Sequence, residues 1–127
     1  MVELRPQEGF EPSSGTARWW VWRTEDMQRI GTAGIRHESD NVYSVGAYLG
    51  WRNGRMTGGY GAETYRLMCL YAVDRLGAVT IVAANTDLPR KSALEEAGFK
   101  LVSAFPPKQA KRRRGYGIRR YEWIPPA

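Results

Sequence analysis

Three glycines, Gly58, Gly59 and Gly61, precede a segment that has the residue pattern of a helix opening at Ala62. Glycine lets the backbone approach a ligand closely because no Cβ stands in the way. The first N–H groups of a helix have no intrahelical acceptor and lie at the positive end of its dipole. Together these features favour binding of a phosphate or pyrophosphate. The alternative is a tight strand-to-helix turn without a ligand. A P-loop is excluded, because no Lys-Ser/Thr pair follows Gly61.

The second chemical feature is a basic run between positions 108 and 120. The chain has a formal net charge of +6, and this run alone carries +7 because it contains no acidic residue. The rest of the chain is therefore close to neutral. A local charge of this kind favours an acidic partner or substrate near the segment, and the alternative is a solvated loop. The basic residues are Lys108, Lys111, Arg112, Arg113, Arg114, Arg119 and Arg120.

The patterns around these features predict an α/β domain with a mixed sheet. Apolar residues spaced by three and four predict a helix over 62–76, which Gly77 would terminate. The apolar run 78–84 predicts a strand buried on both faces, and 90–97 a short helix. Further strands are predicted at 19–23, 29–35, 42–49, 99–105 and 116–124, with a turn at 37–41. The resulting order is β-β-β-α-β-α-β-β.

Size and composition place the chain among single-domain globular proteins. Its 127 residues suit one hydrophobic core, and no window is apolar enough for a membrane span. Residues 1–17 are rich in Pro, Glu, Ser and Gly, which predicts an irregular N-terminal arm before a domain over 18–127. The first residues lack the apolar core of a secretory signal, and the single cysteine, Cys69, fits a reducing cytoplasm.

Three segments in order resemble the GCN5-related N-acetyltransferases (GNAT), and most closely the branch that acetylates ribosomal-protein N-termini. Residues 29–35 resemble the second strand of that family's central hairpin. Residues 58–63 resemble its acetyl-CoA pyrophosphate loop. Residues 94–99 resemble the end of its fourth helix and the start of its sixth strand. The resemblance implies a GNAT-like mixed central sheet. It also implies that most of the usual N-terminal strand and helices are missing, because residues 1–17 are too few to form them.

The resemblance implies that acetyl-CoA is the cofactor and lies between the strands at 42–49 and 78–84. Backbone amides at the start of the first helix would hold its pyrophosphate. An amide near Tyr48 or Leu49 would polarise the thioester carbonyl, as in an oxyanion hole. Met56 stands where the family has Gln or Arg, while Asn85 and Arg90 fall near its Asn-x-x-Ser pattern. The cofactor-binding candidates are Tyr48, Leu49, Met56, Thr57, Gly58, Gly59, Tyr60, Gly61, Ala62, Asn85 and Arg90.

The acid and base of the reaction are less well defined by the sequence. Leu94 stands where many relatives have a tyrosine that acts as the acid. Ser92 and Tyr116 are substitutes by residue type, and bulk water is the alternative proton source. Glu38 follows the predicted hairpin and is the candidate general base, although an exposed turn carboxylate is the plainer interpretation. The catalytic candidates are therefore Glu38, Ser92 and Tyr116.

The acceptor is expected to be a primary amine of a protein or another macromolecule. The reduced N-terminal region would leave the acceptor pocket to be completed by a large substrate or by a second subunit of a homodimer. The resemblance places Lys111, Arg112, Arg113 and Arg114 beside the acceptor site, which favours an acidic protein or RNA. One alternative is a non-catalytic module that binds such a partner through residues 108–120. Another is a small-molecule amine acetyltransferase, which the basic loop disfavours because it would repel cationic acceptors.

Overall fold

The computed structural model describes residues 1–7, 16–49, 60–85, 88–105 and 118–123, and for residues 84–85, 88–92, 103–105 and 118–119 it describes the backbone only. It contains seven strands and two helices in these ranges. The elements are β1 (Val2–Pro6), β2 (Thr16–Arg23), β3 (Gln28–Ser39), β4 (Val42–Tyr48), α1 (Tyr60–Leu76), β5 (Thr80–Asn85), α2 (Leu88–Ala97), β6 (Phe99–Phe105) and β7 (Ile118–Trp123).

All seven strands belong to one mixed sheet with the order β1-β2-β3-β4-β5-β7-β6. Every neighbouring pair is antiparallel except β4 and β5, which run parallel. A parallel pair needs a long crossover connection, and α1 lies within the connection between β4 and β5. The predicted α/β class and element order are confirmed, with one strand added at the N-terminal end.

Helix α1 forms because its apolar residues follow one face. Tyr65, Met68, Cys69 and Ala72 are all buried, at spacings of three and four. The helix ends where Gly77 adopts a φ of +71°, a left-handed conformation that glycine reaches without strain. Burial raises the pKa of the Cys69 thiol, so this cysteine belongs to the core, as its position on the apolar face predicts. Neither helix of the described residues has the length and apolar composition required to cross a bilayer.

The two helices cover the same face of the sheet. The ring of Trp19 on β2 contacts that of Tyr71 on α1, with centroids 5.0 Å apart. The indole N–H of Trp123 on β7 donates to the carbonyl of Ala97 on α2 at 3.1 Å, and the two helices pack against each other. We call this the helix face. Alternate residues such as Trp20 lie on the opposite face, which we call the open face because no helix of the described residues covers it.

The prediction of an irregular arm over residues 1–17 is wrong for Val2–Pro6 and for the first residues of β2. Val2 and Leu4 alternate with polar residues, and β1 makes five antiparallel residue pairs with β2, from Val2↔Arg23 to Pro6↔Trp19. The expected shortening of the N-terminal region is confirmed in that no helix of the described residues lies between β1 and β2, whereas a strand, β1, is present there. A half-exposed edge strand of five residues gives too weak an alternation to stand out in a polar segment. Residues 8–15 lie outside the described residues.

The predicted turn at 37–41 is shorter than expected. Strand β3 continues to Ser39, and His37 pairs with Tyr43 on β4, where the two rings lie 5.0 Å apart. The chain reverses at Asp40, which has a φ of +42°. Glu38 is therefore a strand residue. Its polar neighbours resemble a turn because this end of the hairpin is exposed on both sides.

Gly31 on β3 lies in close contact with the end of β4. A Cβ added at Gly31 would lie 2.2 Å from the carbonyl oxygen of Tyr48 and 2.8 Å from the Cα of Leu49. These are backbone atoms, which cannot move aside as the end of a flexible side chain can. Glycine permits this close backbone approach because it has no Cβ. The contact fixes the position of the Tyr48–Leu49 backbone.

A hydrogen-bonded cluster ties the start of α1 to the β2–β3 turn and to the N-terminus. The hydroxyl of Tyr60 donates to Glu25 Oε2 at 2.7 Å, and the Met1 ammonium donates to Glu25 Oε1 at 2.6 Å. These two donors, the ammonium first, lower the pKa of Glu25 from 4.5 to about 2. The neighbouring carboxyl of Asp26 also has a lowered pKa because Arg23 bonds to it.

We expect Gly31→Ala to destabilise the protein by roughly 1–3 kcal/mol, the usual cost of forcing extra volume into a packed site. The added methyl would push the backbone of Tyr48 and Leu49 away. Gly46→Ala is the matched control, because a Cβ there meets nothing within 4 Å, and should change stability by no more than about 0.5 kcal/mol. Urea unfolding of both variants gives the measurement. Equal stabilities for the two would contradict the close contact at Gly31.

We expect the Glu25 carboxyl to titrate near pH 2 in the folded protein. A lowered folded pKa means that this carboxylate stabilises the fold above its usual pKa of 4.5, and that its contribution is lost as the pH falls towards 2. In Tyr60→Phe one donor is removed, so the pKa should rise towards 4.5. Carboxyl NMR titration measures this, with Asp26 as an internal control that keeps its value. A Glu25 pKa unchanged by Tyr60→Phe would show that the hydroxyl does not hold the carboxylate.

Candidate functional site

The sheet opens between β4 and β5. The two strands form only three parallel residue pairs, Val42↔Thr80, Tyr43↔Ile81 and Ser44↔Val82. Beyond Ser44, β4 continues to pair with β3 as far as Tyr48, and β5 continues to pair with β7 as far as Asn85. Beyond this point β4 is paired with β3 and β5 with β7, but β4 and β5 are no longer paired with each other. The result is a gap, bounded by Val45–Tyr48 on one side and Ala83–Asn85 on the other.

One hydrogen bond shows which residues of β4 face this gap. The carbonyl of Asn41 accepts from the N–H of Val79 at 2.8 Å, so it points towards the β5 side. Since backbone groups alternate along a strand, Tyr43, Val45 and Ala47 also direct their N–H and C=O groups to that side. Val45 and Ala47 have no partner residue on β5. An extended ligand in the gap would pair with these backbone groups as an added strand does.

The same alternation bears on the two residues, Tyr48 and Leu49, whose backbone amides are candidates to bind the thioester carbonyl. Tyr48 pairs with Thr32, and its carbonyl points at Gly31 on β3. Its backbone therefore faces away from the gap. Leu49 is the residue that follows the end of β4 and is buried. This leaves Leu49 as the remaining candidate for the amide donor, while the Tyr48 side chain lies on the open face.

Helix α1 begins at the wide end of the gap. In a β-α-β crossover the helix runs antiparallel to the two strands, so its N-terminus lies near the carboxyl end of the first strand. Here Tyr60 is the first residue of α1 and bonds to Glu25 in the β2–β3 turn, beside the end of β4. Gly61 and Ala62 follow and are buried. Their N–H groups belong to the first turn, where a helix has no acceptors of its own. Met56, Thr57, Gly58 and Gly59 lie outside the described residues.

Glu38 lies at the narrow end of the gap and on the open face. Its Oε2 accepts from the hydroxyl of Ser44 at 2.7 Å and from Arg36 Nε at 3.3 Å. The Ser44 hydrogen bond first, then Arg36 and the charge of Arg120, lower the pKa of Glu38. The carboxylate therefore stays ionised, which suits attraction of an ammonium group better than removal of its proton at neutral pH.

The remaining predicted site residues fall in three places. Asn85 is the last residue of β5, on the far side of the gap. Ser92 and Arg90 belong to α2, and their side chains are outside the described set. Leu94, at the position of the acid tyrosine in the resembling family, is 1% exposed and part of the core. Tyr116 and the candidates Lys111, Arg112, Arg113 and Arg114 lie outside the described residues.

Sequence patterns did not identify Val45 and Ala47. Both have residue types common in strands. Only the strand pairing shows that their backbone groups have no partner on β5. The open end of β4 also adjoins a cavity of about 600 Å³, a size typical of a small-molecule site. Gly46, Ala47 and Tyr48 on β4 line part of it, together with Tyr65 on α1.

The chain resembles solved structures in its fold. No family model and no curated protein matches the sequence. A GNAT-family acetyltransferase from Bacillus anthracis superimposes with a TM-score of 0.71 over 84% of this chain, at 14% identity. A Vibrio cholerae protein assigned as a ribosomal-protein-serine acetyltransferase gives 0.67 over 87% of the chain, at 18% identity. The enzyme AAC(6')-Ib, solved with an aminoglycoside and acetyl-CoA, gives 0.66 over 87% of the chain, at 13% identity.

The chain spans 65%, 64% and 66% of the length of these three proteins. At such identities the similarity concerns the fold. It agrees with the features described above, namely the mixed sheet, the short parallel pair β4–β5 and the helix that begins at its open end. By these features and these neighbours, the chain has the fold of the GNAT acetyltransferases.

Proposed function

We propose that the protein is an acetyl-CoA-dependent N-acetyltransferase that acts on a primary amine of a protein or another macromolecule. The observation that carries this proposal is the parting of β4 from β5 beside the first turn of α1. The gap supplies a row of backbone groups for an extended ligand, and the helix start supplies N–H groups for an anion. These two requirements suit acetyl-CoA, which joins an extended arm to a pyrophosphate. The neighbour solved with acetyl-CoA supports the choice.

The residues present fit such a cofactor. The backbone groups of Val45 and Ala47 would hold its arm, and those of Gly61 and Ala62 its pyrophosphate, together with the proposed Gly58 and Gly59. The amide of Leu49 is the donor that we assign to the thioester carbonyl. When bound, acetyl-CoA supplies an acetyl group activated as a thioester. Asn85, Arg90, Met56 and Thr57 are further proposed contacts.

The acceptor amine must lose its proton before it can attack. We propose that the ionised Glu38 attracts the acceptor ammonium and that a water molecule beside it accepts the proton. Ser92 or Tyr116 is the proposed acid, and bulk water replaces them if neither contributes. Leu94 is excluded from this role because it is a buried hydrocarbon.

The charge distribution favours a macromolecular acceptor over a small polyamine. The proposed partner-binding residues Lys111, Arg112, Arg113 and Arg114 belong to a run that carries +7 in a chain of net charge +6. A positive loop beside the acceptor site repels cationic acceptors and attracts acidic ones. The same charge supports the second candidate function, a non-catalytic module of this fold that binds an acidic protein or nucleic acid.

We expect Gly61→Asp to weaken binding of CoA at least tenfold, which is about 1.4 kcal/mol. The substitution places a carboxylate at the buried start of α1, where the pyrophosphate would lie. Gly61→Ala is the matched control, because it adds the Cβ without the charge and should lose less affinity. Calorimetric titration with CoA measures both, and circular dichroism confirms folding. A folded Gly61→Asp protein with unchanged CoA affinity would rule out this cofactor site.

We expect acetyl transfer to a peptide with an N-terminal serine and at least tenfold slower transfer to spermidine and ribostamycin. The two small acceptors are polycations, so they are repelled by the basic protein at low salt. Release of the CoA thiol from acetyl-CoA follows each reaction, with the three acceptors at equal concentration. Faster turnover of spermidine than of the peptide would overturn the macromolecular acceptor. Tight CoA binding without turnover of any of the three would favour the non-catalytic module.

A further inference from the structure

The open face of β2, β3 and β4 carries a groove whose shape follows from the strand register. Trp20, Thr32 and Tyr48 are paired in sequence across the three strands, so their side chains lie in one row on the same face. The two aromatic residues stand two strands apart, about 10 Å at the usual spacing of about 4.8 Å. A threonine lies between them. Such a row forms a slot with aromatic sides and a small polar floor.

The next row leaves the groove open. Arg18, Gly34 and Gly46 are paired across the same three strands, and a Cβ added at Gly46 would meet no atom within 4 Å. The cavity of about 600 Å³ and a second cavity of about 280 Å³ share all three of these residues. The aromatic slot therefore continues into a channel floored by two glycines, with the stem of Arg18 beside Gly34, where an added Cβ would lie 3.7 Å from the Arg18 Cγ.

The channel is flanked by positive charge. Arg18 is exposed at its side, and Arg36, in the third row, has a side chain that is 74% exposed and pairs with Glu38 at 3.3 Å. The charge of Arg120 on β7 acts on Glu38, so this last residue of the basic run lies close to the same part of the open face. Arg29 stacks on Trp20 with its guanidinium carbon 4.2 Å from the ring centroid, which fixes the indole and adds another positive charge.

We propose that this groove docks a single-stranded RNA segment, with a base between Trp20 and Tyr48 and phosphates at Arg18 and Arg36. Unstacked bases bind aromatic rings on sheet faces, and arginines bind the phosphates beside them. The aromatic slot is what favours RNA over an acidic polypeptide, because a carboxylate chain would use the arginines and leave the slot empty. The groove meets the proposed cofactor gap at Ala47 and Tyr48, so RNA binding is measured in the absence of CoA.

The test uses the full chain and a fluorescein-labelled oligouridylate of twelve nucleotides, with binding followed by anisotropy at several salt concentrations. We expect Arg18→Ser/Arg36→Ser to weaken binding at least tenfold and to reduce the salt slope by about 1.4, since each phosphate contact on a single strand contributes about 0.7. The matched control is Arg66→Ser/Arg75→Ser, which removes the same charge from exposed positions on α1. An equal loss in the control would overturn the groove as the site.

Trp20→Leu separates stacking from charge. We expect it to weaken binding about 5- to 150-fold, the contribution of one stacked base, and to leave the salt slope unchanged, while Trp20→Phe retains most of the affinity. If Trp20→Leu does not fold, Gly46→Asp replaces it, because the space above Gly46 is open and the new carboxylate would repel a phosphate there. Gly46→Ala is its neutral control. Full RNA affinity in folded Trp20→Leu or Gly46→Asp would overturn the proposal, as would tighter competition by polyglutamate than by unlabelled RNA.

Discussion

The single parallel pair among the described strands, β4 with β5, is the constraint on which the rest of this structure depends. Every other pair is antiparallel, whereas the connection between these two strands must cross the sheet and contains α1. The pair is held by only three residue pairs. Because the crossover reverses direction, the start of α1 comes to the end of β4 where pairing has already stopped. Backbone groups that have no partner on β5 and helix N–H groups that have no acceptor within α1 therefore meet at one place.

Gly31 and the carboxylate of Glu25 fix the position of the end of β4 relative to the start of α1. Gly31 lets β3 lie against the Tyr48–Leu49 backbone, so the last residues of β4 cannot shift freely. Glu25 joins the β2–β3 turn to the first residue of α1 through the Tyr60 hydroxyl. Its negative charge near the helix start is favourable to the dipole. The same charge opposes a bound pyrophosphate at short range, so the anion site must lie towards Gly61 and Ala62 and away from the Glu25 side of the helix.

How far the sequence predicts this arrangement depends on whether the signal is local. The buried stripe of α1 and the whole of β6 are predicted closely, because apolar periodicity and terminating glycines are local features. Strand β1 is missed because an edge strand needs only Val2 and Leu4 to face inward, and Glu38 is misplaced because polar strand ends resemble turns. The gap-facing residues Val45 and Ala47 depend on strand pairing. The direction of their backbone groups is shown by the hydrogen bond at the Asn41 carbonyl. The pairing itself joins strands that are far apart in the chain, so no local pattern predicts it.

The open face presents a physical problem that arginines resolve. A sheet face that carries Trp20 and Trp22, and that neither described helix covers, would expose an apolar patch to water. Arg29 stacks on the first ring and Arg5 on the second, at 4.2 and 4.9 Å from the ring centroids. Each guanidinium covers aromatic surface while keeping its charge hydrated. The covering that keeps this face compatible with water therefore also makes it positive, and the surface that remains combines aromatic edges with fixed cations, which are the two groups that a single-stranded polyanion with planar bases requires.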